Sequence, residues 1–195
     1  MTNREVLEPI RVRQSARSFT GIAVPDEAVG RILDAGRRAP SGANRQPWHF
    51  VVVRNAEVKR AVRVQCEAAE RIHHAQADKN IRRWYAAHGI TAEKPFLVEA
   101  PVLIATFFDP RAPYAVPSVW IAIAQMLIQT TQEGFCSLPY TPSGARVAPI
   151  LGVPEPYRVA AVLPIGEGVP LERQPRRPLA EVASIDRYGE GFAAP

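Results

Sequence analysis

Three apolar runs that read as buried strands, separated by segments of helical period, predict one domain of the α/β or α+β class. The runs are residues 50–53, 102–108 and 159–165. The composition agrees: 47% hydrophobic and 22% charged residues is the ordinary globular mix, and 195 residues can bury a sizeable core. No repeat and no low-complexity linker interrupts the chain, so residues 1–195 read as a single domain.

Residues 4–13 predict a short opening helix. Asp26 and Glu27 after Pro25 suit a helix start, and Val29, Ile32, Leu33 and Gly36 then recur at helical spacing on one buried face. Gly36 on that face permits close packing. Pro40 ends this helix, and SGANRQP reads as a loop. Residues 50–53 are continuous, apolar and β-branched, as in a strand buried on both faces. Residues 56–76 carry a charged helical pattern. Residues 77–95 are polar and lack a clear period, and residues 66–95 together form a candidate lid. After the strand at 102–108, residues 117–132 predict the most apolar helix, central to the domain. A short third strand at 135–138, a short helix at 143–151 closed by Gly152 and Pro154, and a last strand at 159–165 follow. The tail from Gly168 reads as a surface segment.

Several function classes are disfavoured. The net charge of +5 comes from 24 basic and 19 acidic residues without a dense Lys/Arg block. That pattern suits a basic surface with one anion pocket better than a nucleic-acid interface. Cys66 and Cys136 have no disulfide-scaffold or redox spacing, which fits a reducing cytoplasm. The N-terminus has no apolar signal core, and no run reaches the roughly 20 apolar residues of a membrane span. The P-loop, GxGxxG, HExxH and GxSxG signatures are absent. His73 and His74 lack further ligands at suitable spacing, so no metal is expected.

Three segments could carry chemistry. In RQSAR, Arg13 and Arg17 flank Ser15. Guanidinium forks match phosphate oxygens and a hydroxyl adds a bond, although a solvated basic helix end has the same look. In PSGANRQPW, Pro40 and Pro47 fix a loop, Gly42 frees its backbone, and Asn44 and Gln46 offer amides to a flat heterocycle. Trp48 reads as a core anchor. In PYTPSGAR, Thr141 and Pro142 form a bend before a short helix.

These segments, with VPDEAVGRILDAGRRAPSGANRQPWHFVVV, LGVPEPYRVAAVLPIGE and RRPLAEV, resemble the FMN-dependent nitroreductase superfamily across nearly the whole chain. The resemblance implies an α+β fold, a nitroreductase-like mixed sheet flanked by helices, in an intertwined homodimer with FMN between subunits. It implies that Arg13, Ser15, Arg17 and Arg176 hold the phosphate and ribityl chain. Gln14 stands where a basic residue is frequent, so the clamp is one charge weaker. Pro40, Ser41, Gly42 and Asn44 would approach the flavin from the other subunit. TPSGARVAPILG is also similar to the iodotyrosine deiodinase branch, which implies that Thr141, next to Pro142, tunes the flavin. By the same likeness Glu70 and Lys94 fall at a zwitterion-binding Glu and Lys, and His74 falls where that branch has Tyr. As residues alone, Glu70 and Lys94 also read as two solvated charges.

The implied activity is an FMN-dependent oxidoreductase reducing a small organic acceptor, an aromatic nitro or halo compound, with electrons from NADH, NADPH or a protein donor. A flavin carrier without turnover, a flavin-destructase of the 5,6-dimethylbenzimidazole synthase type and a basic nucleic-acid-binding module are the alternatives.

Overall fold

The computed structural model describes residues 5–142, 144–169 and 175–192. Its centre is a sheet of four strands, β1 (Trp48–Val53), β2 (Val102–Phe108), β3 (Cys136–Ser137) and β4 (Arg158–Gly166), in the order β1-β2-β4-β3. All three neighbouring pairs are antiparallel. Among the described residues the parallel part of the expected mixed sheet is one isolated bridge, Ser15 to Ser137.

β2 shows why these strands are apolar without alternation. Leu103, Ala105 and Phe107 enter one core, while Val102 and Ile104 enter the other. Successive side chains of a strand point to opposite faces, and helices cover both. The register shifts between Thr106 and Phe107. There the buried Thr106 hydroxyl donates to Ala161 O at 2.9 Å and accepts from Ala161 N at 3.1 Å, so it is satisfied.

Among the described residues, eight α-helices accompany the sheet: α1 (Glu8–Val12), α2 (Asp26–Arg37), α3 (Ala56–Gln76), α4 (Lys79–Ala87), α5 (Phe96–Glu99), α6 (Ala115–Gln132), α7 (Val147–Ile150) and α8 (Leu179–Val182). A Cβ on Gly36 of α2 would lie 2.7 Å from Met126 Cγ of α6, so only glycine permits this approach. Trp48 lies stacked beside Phe50 against the same core.

Four elements differ from the sequence expectation. The irregular stretch 77–95 contains α4, whose start is fixed by Asp78 accepting from Asn80 N and Ile81 N. α6 begins at Ala115 because Pro117 falls in its first turn, where no intrahelical N–H is required. The opening helix shrinks to Glu8–Val12, residue 4 lying outside the described residues. The helix expected at 143–151 contracts to Val147–Ile150, since Arg146 has non-helical backbone angles; Ser143 lies outside the described residues. Among the described residues, no helix is long and apolar enough to cross a membrane.

α3 is the element that sets the site. Asn55 caps it through Val58 N at 3.0 Å. Val62 and Cys66 face the first core, beside buried Lys59 and Glu67. Lys59 Nζ donates to Ala100 O at 2.7 Å and Val98 O at 3.3 Å, supplying the free carbonyls at the end of α5. Burial lowers the Lys59 pKa.

Candidate functional site

Residues 13–17 leave α1 as extended chain. Ala16 is fully buried, and its N–H donates to Ser137 O at 3.4 Å. Arg13 and Ser15 are half-buried and Arg17 is exposed. Burial, and next the neighbouring Arg176 charge, lower the Arg13 pKa. A guanidinium from each end of the chain thus feels the other's charge, and among the described residues neither has an ion pair. Between them a carboxylate or phosphate would relieve the repulsion. Gln14 Oε1 is buried and, among the described residues, has no hydrogen-bond partner.

The loop at 40–47 is held in an unusual shape. Ala43, Asn44 and Gln46 all have positive φ, near +50°, a conformation that costs energy and concentrates at functional sites. Ser41 Oγ accepts from Gln46 N at 2.9 Å, and Gly42 N donates to Ser118 Oγ of α6 at 3.3 Å. A Cβ on Gly42 would lie 2.7 Å from Tyr114 Cδ2 and 2.9 Å from Pro113 O. Pro40 and Asn44 are exposed, whereas Ser41 and Gly42 are half-buried.

A surface cavity of about 400 Å³ lies between α2 and β1, beside Asp34, Arg37 and Trp48. A second of about 320 Å³ lies beside Arg45, Asp109 and Arg111. Neither is lined by residues 13–17. α6 turns Val119, Ile123 and Met126 into the core and leaves Val116, Trp120 and Ile121 exposed. α1 adds exposed Ile10.

The third segment does come together with α3. Glu70, His74 and Lys94 meet: Lys94 Nζ lies 3.4 Å and His74 Nε2 3.5 Å from Glu70 Oε2. The Glu70 and Lys94 side chains are only 12% and 10% exposed, so they are not solvated surface charges. Lys94 Nζ also donates to Thr91 O at 2.5 Å, and Lys94 N donates to Glu67 Oε1 at 2.8 Å. Burial pushes the Glu67 carboxyl up, but the Lys94 N–H and Arg63 outweigh it and hold the pKa below its usual value. His74 stacks on Tyr85 of α4 at 4.5 Å.

Thr141 and Pro142 follow Tyr140, which exchanges backbone hydrogen bonds with Val162 of β4 at 3.1 and 2.8 Å. Thr141 is exposed and Pro142 buried. Two neighbours of this site escaped sequence reasoning. Cys66 lies one turn before Glu70 on α3, a legible i, i+4 spacing, whereas Tyr140, a partner of Glu70, carried no signal. The Tyr140 hydroxyl donates to Glu70 Oε1 at 3.0 Å. Burial pushes the Cys66 thiol up to about 12. Burial, and next the neighbouring Cys66 and Glu70, also push the Tyr140 phenol well above its ordinary value.

Known proteins are similar to this chain over most of its length. The iodotyrosine deiodinase of Thermotoga neapolitana is 34% identical over 177 residues, covering 90% of this chain and 93% of that protein. The iodotyrosine deiodinase of Haliscomenobacter hydrossis is 32% identical over 166 residues, covering 79% and 75%. A crystal structure of an iodotyrosine deiodinase bound to FMN and 3-iodo-L-tyrosine superposes with a TM-score of 0.83 at 32% identity, covering 92% of this chain and 96% of that one. The nitroreductase family model matches residues 10–167, from the RQSAR segment through β4. With that match across the sheet, the strained loop and the Thr141 bend, the chain belongs to the nitroreductase family.

Proposed function

We propose that this chain is an FMN-dependent oxidoreductase, active as a homodimer, that reduces a small aromatic acceptor bearing an amino-acid head group. The buried, opposed charges of Glu70 and Lys94, 3.4 Å apart, carry this reading. Charges are kept out of water at a cost that a zwitterionic ligand, bridging the two, can offset. The identity of 34% to an iodotyrosine deiodinase supports it.

The residues present fit FMN. Phosphate oxygens suit Arg13 and Arg176, which have no ion pair among the described residues, and a ribityl hydroxyl suits Gln14 Oε1, which has no hydrogen-bond partner among them. Arg13, Ser15, Arg17 and Arg176 would hold the phosphate and ribityl chain. Pro40, Ser41, Gly42 and Asn44 would meet the ring from the second subunit, and Thr141, set by Pro142, would offer its hydroxyl to the ring. Bound FMN supplies the electron transfer, and the protein supplies orientation and electrostatics. The exposed apolar face of α6, with Val116, Trp120 and Ile121, supports a site completed by a second copy. NADH, NADPH or a reduced protein would supply electrons.

Glu70 accepts the ammonium of the acceptor, Lys94 meets its carboxylate, and His74 borders both. The α4 segment covers the ligand and excludes water. A nitroaromatic without a charged head is the second reading, favoured because Glu70 is already satisfied by Tyr140, Lys94 and His74. Anaerobically reduced, FMN-loaded protein mixed with 3-iodo-L-tyrosine or with 4-nitrophenol separates the two. Flavin reoxidation with iodide release upholds the first. Reoxidation by the nitrophenol alone supports the second, and reoxidation by neither counts against an enzyme of this type.

A further inference from the structure

The two oxygens of the Glu70 carboxylate have different partners. Oε1 accepts from the Tyr140 hydroxyl at 3.0 Å. Oε2 faces Lys94 at 3.4 Å and His74 at 3.5 Å, longer than the about 2.7–2.9 Å of a well-formed charge-assisted bond. Tyr140 is itself immobilised. Its backbone pairs with Val162 in both directions, the residue is 8% exposed, and its ring is set edge-on to Phe96 at 5.6 Å. A side chain fixed to the central sheet therefore reaches across to α3, while the next residue, Thr141, emerges at the surface.

We infer that Tyr140 is a positioning residue for substrate: it anchors one oxygen of Glu70 to the sheet and leaves the other for the ligand's ammonium. The inference rests on the reading of Glu70 as the ammonium acceptor given above. Because Oε1 is committed, Oε2 is the arm whose loose contacts a ligand can replace. The carboxylate is thereby held in register with Thr141, one residue beyond the anchor. An alkylammonium aromatic is selected over its des-amino analogue, because only the ammonium can donate to Oε2.

The test is calorimetric titration of FMN-loaded protein with L-tyrosine and with 3-(4-hydroxyphenyl)propionate. Tyr140→Phe is expected to weaken L-tyrosine about tenfold, the size of one hydrogen bond to a charged group, and to leave the des-amino analogue unchanged. In a Glu70→Gln background the same change should have at most about a twofold effect, since coupled residues are not additive. Cys66→Ala, which keeps the Tyr140 bond to Glu70, should preserve the preference. An equal loss for both ligands would reduce Tyr140 to a packing residue and overturn the proposal. So would a preference that Glu70→Gln abolishes but Tyr140→Phe retains, with the reading of Glu70 left standing. A wild-type protein with no preference for L-tyrosine would remove that reading and the proposal together.

Discussion

Lys94 and Glu70 form an ion pair at 3.4 Å with about nine-tenths of each side chain withdrawn from solvent. Breaking a buried pair by removing one partner typically costs about 3–5 kcal/mol, because the other charge stays buried. Tyr140 and His74 remain beside Glu70, so Lys94→Ala is expected at or below the lower end of that range. Lys94→Met combined with Glu70→Gln should recover most of the loss, since no charge is then stranded. Urea unfolding of FMN-free protein measures both. Equal instability of the single and double variants would show that pairing is not its origin.

The Arg176 charge, after burial, lowers the Arg13 pKa, so the two guanidinium groups repel one another, and among the described residues neither has an ion pair. Either Arg→Ala change is expected to weaken FMN binding by about 10–100-fold, the loss of one charge-assisted contact. Without FMN, Arg13→Ala should leave stability unchanged or raise it slightly, because the repulsion goes with it. Fluorescence titration of free FMN and thermal unfolding give the two readings. A parallel loss of stability and affinity would mean that Arg13 holds the fold and not the phosphate.

Gly42 has no room for a methyl group, with Tyr114 Cδ2 2.7 Å and Pro113 O 2.9 Å from a Cβ. Gly42→Ala must move backbone as well as the ring, at a cost of about 1–3 kcal/mol. The loop bearing Ser41 and Asn44 would shift with it, so bound FMN should fall more than stability does. The flavin-to-protein absorbance ratio of purified protein checks this. Full occupancy in the variant would remove the loop from the cofactor site.

Glu67 ties α3 to Lys94, and its folded pKa lies below the ordinary 4.5 despite burial. A group depressed on folding stabilises the protein above its unfolded pKa, and the contribution disappears as pH falls through the folded value. Wild type should therefore exceed Glu67→Gln in stability at neutral pH, with the gap closing below pH 4.5. Urea midpoints at neutral pH and at about pH 3 test the sign. A gap that is constant with pH would assign the loss to packing.

The elements legible from sequence were those whose burial repeats with a simple period. Residues 102–108 read as a strand because both faces are covered, and α3 coincides with the predicted 56–76 helix because its inner face recurs at helical spacing. α4 was missed although Ile81, Trp84 and Tyr85 recur at i, i+3 and i+4, because nine residues are too few to extend that period and none of them is buried. A second signal was Asp78, two and three residues before the amides it caps. The motif residues of the cofactor segments were likewise visible in the chain, since their backbone demands are local: a glycine at position 42 and prolines at both loop ends. Tertiary structure decided the rest. Charge type alone left Glu70 and Lys94 equally suited to solvent or to a site. Only the packing of α3 against residues 94–100 buried them together, and only the pairing of Tyr140 with β4 brought a phenol to Glu70. Contacts between residues so far apart leave no periodic trace, because they depend on where the sheet and helices place each backbone and not on neighbours in the chain.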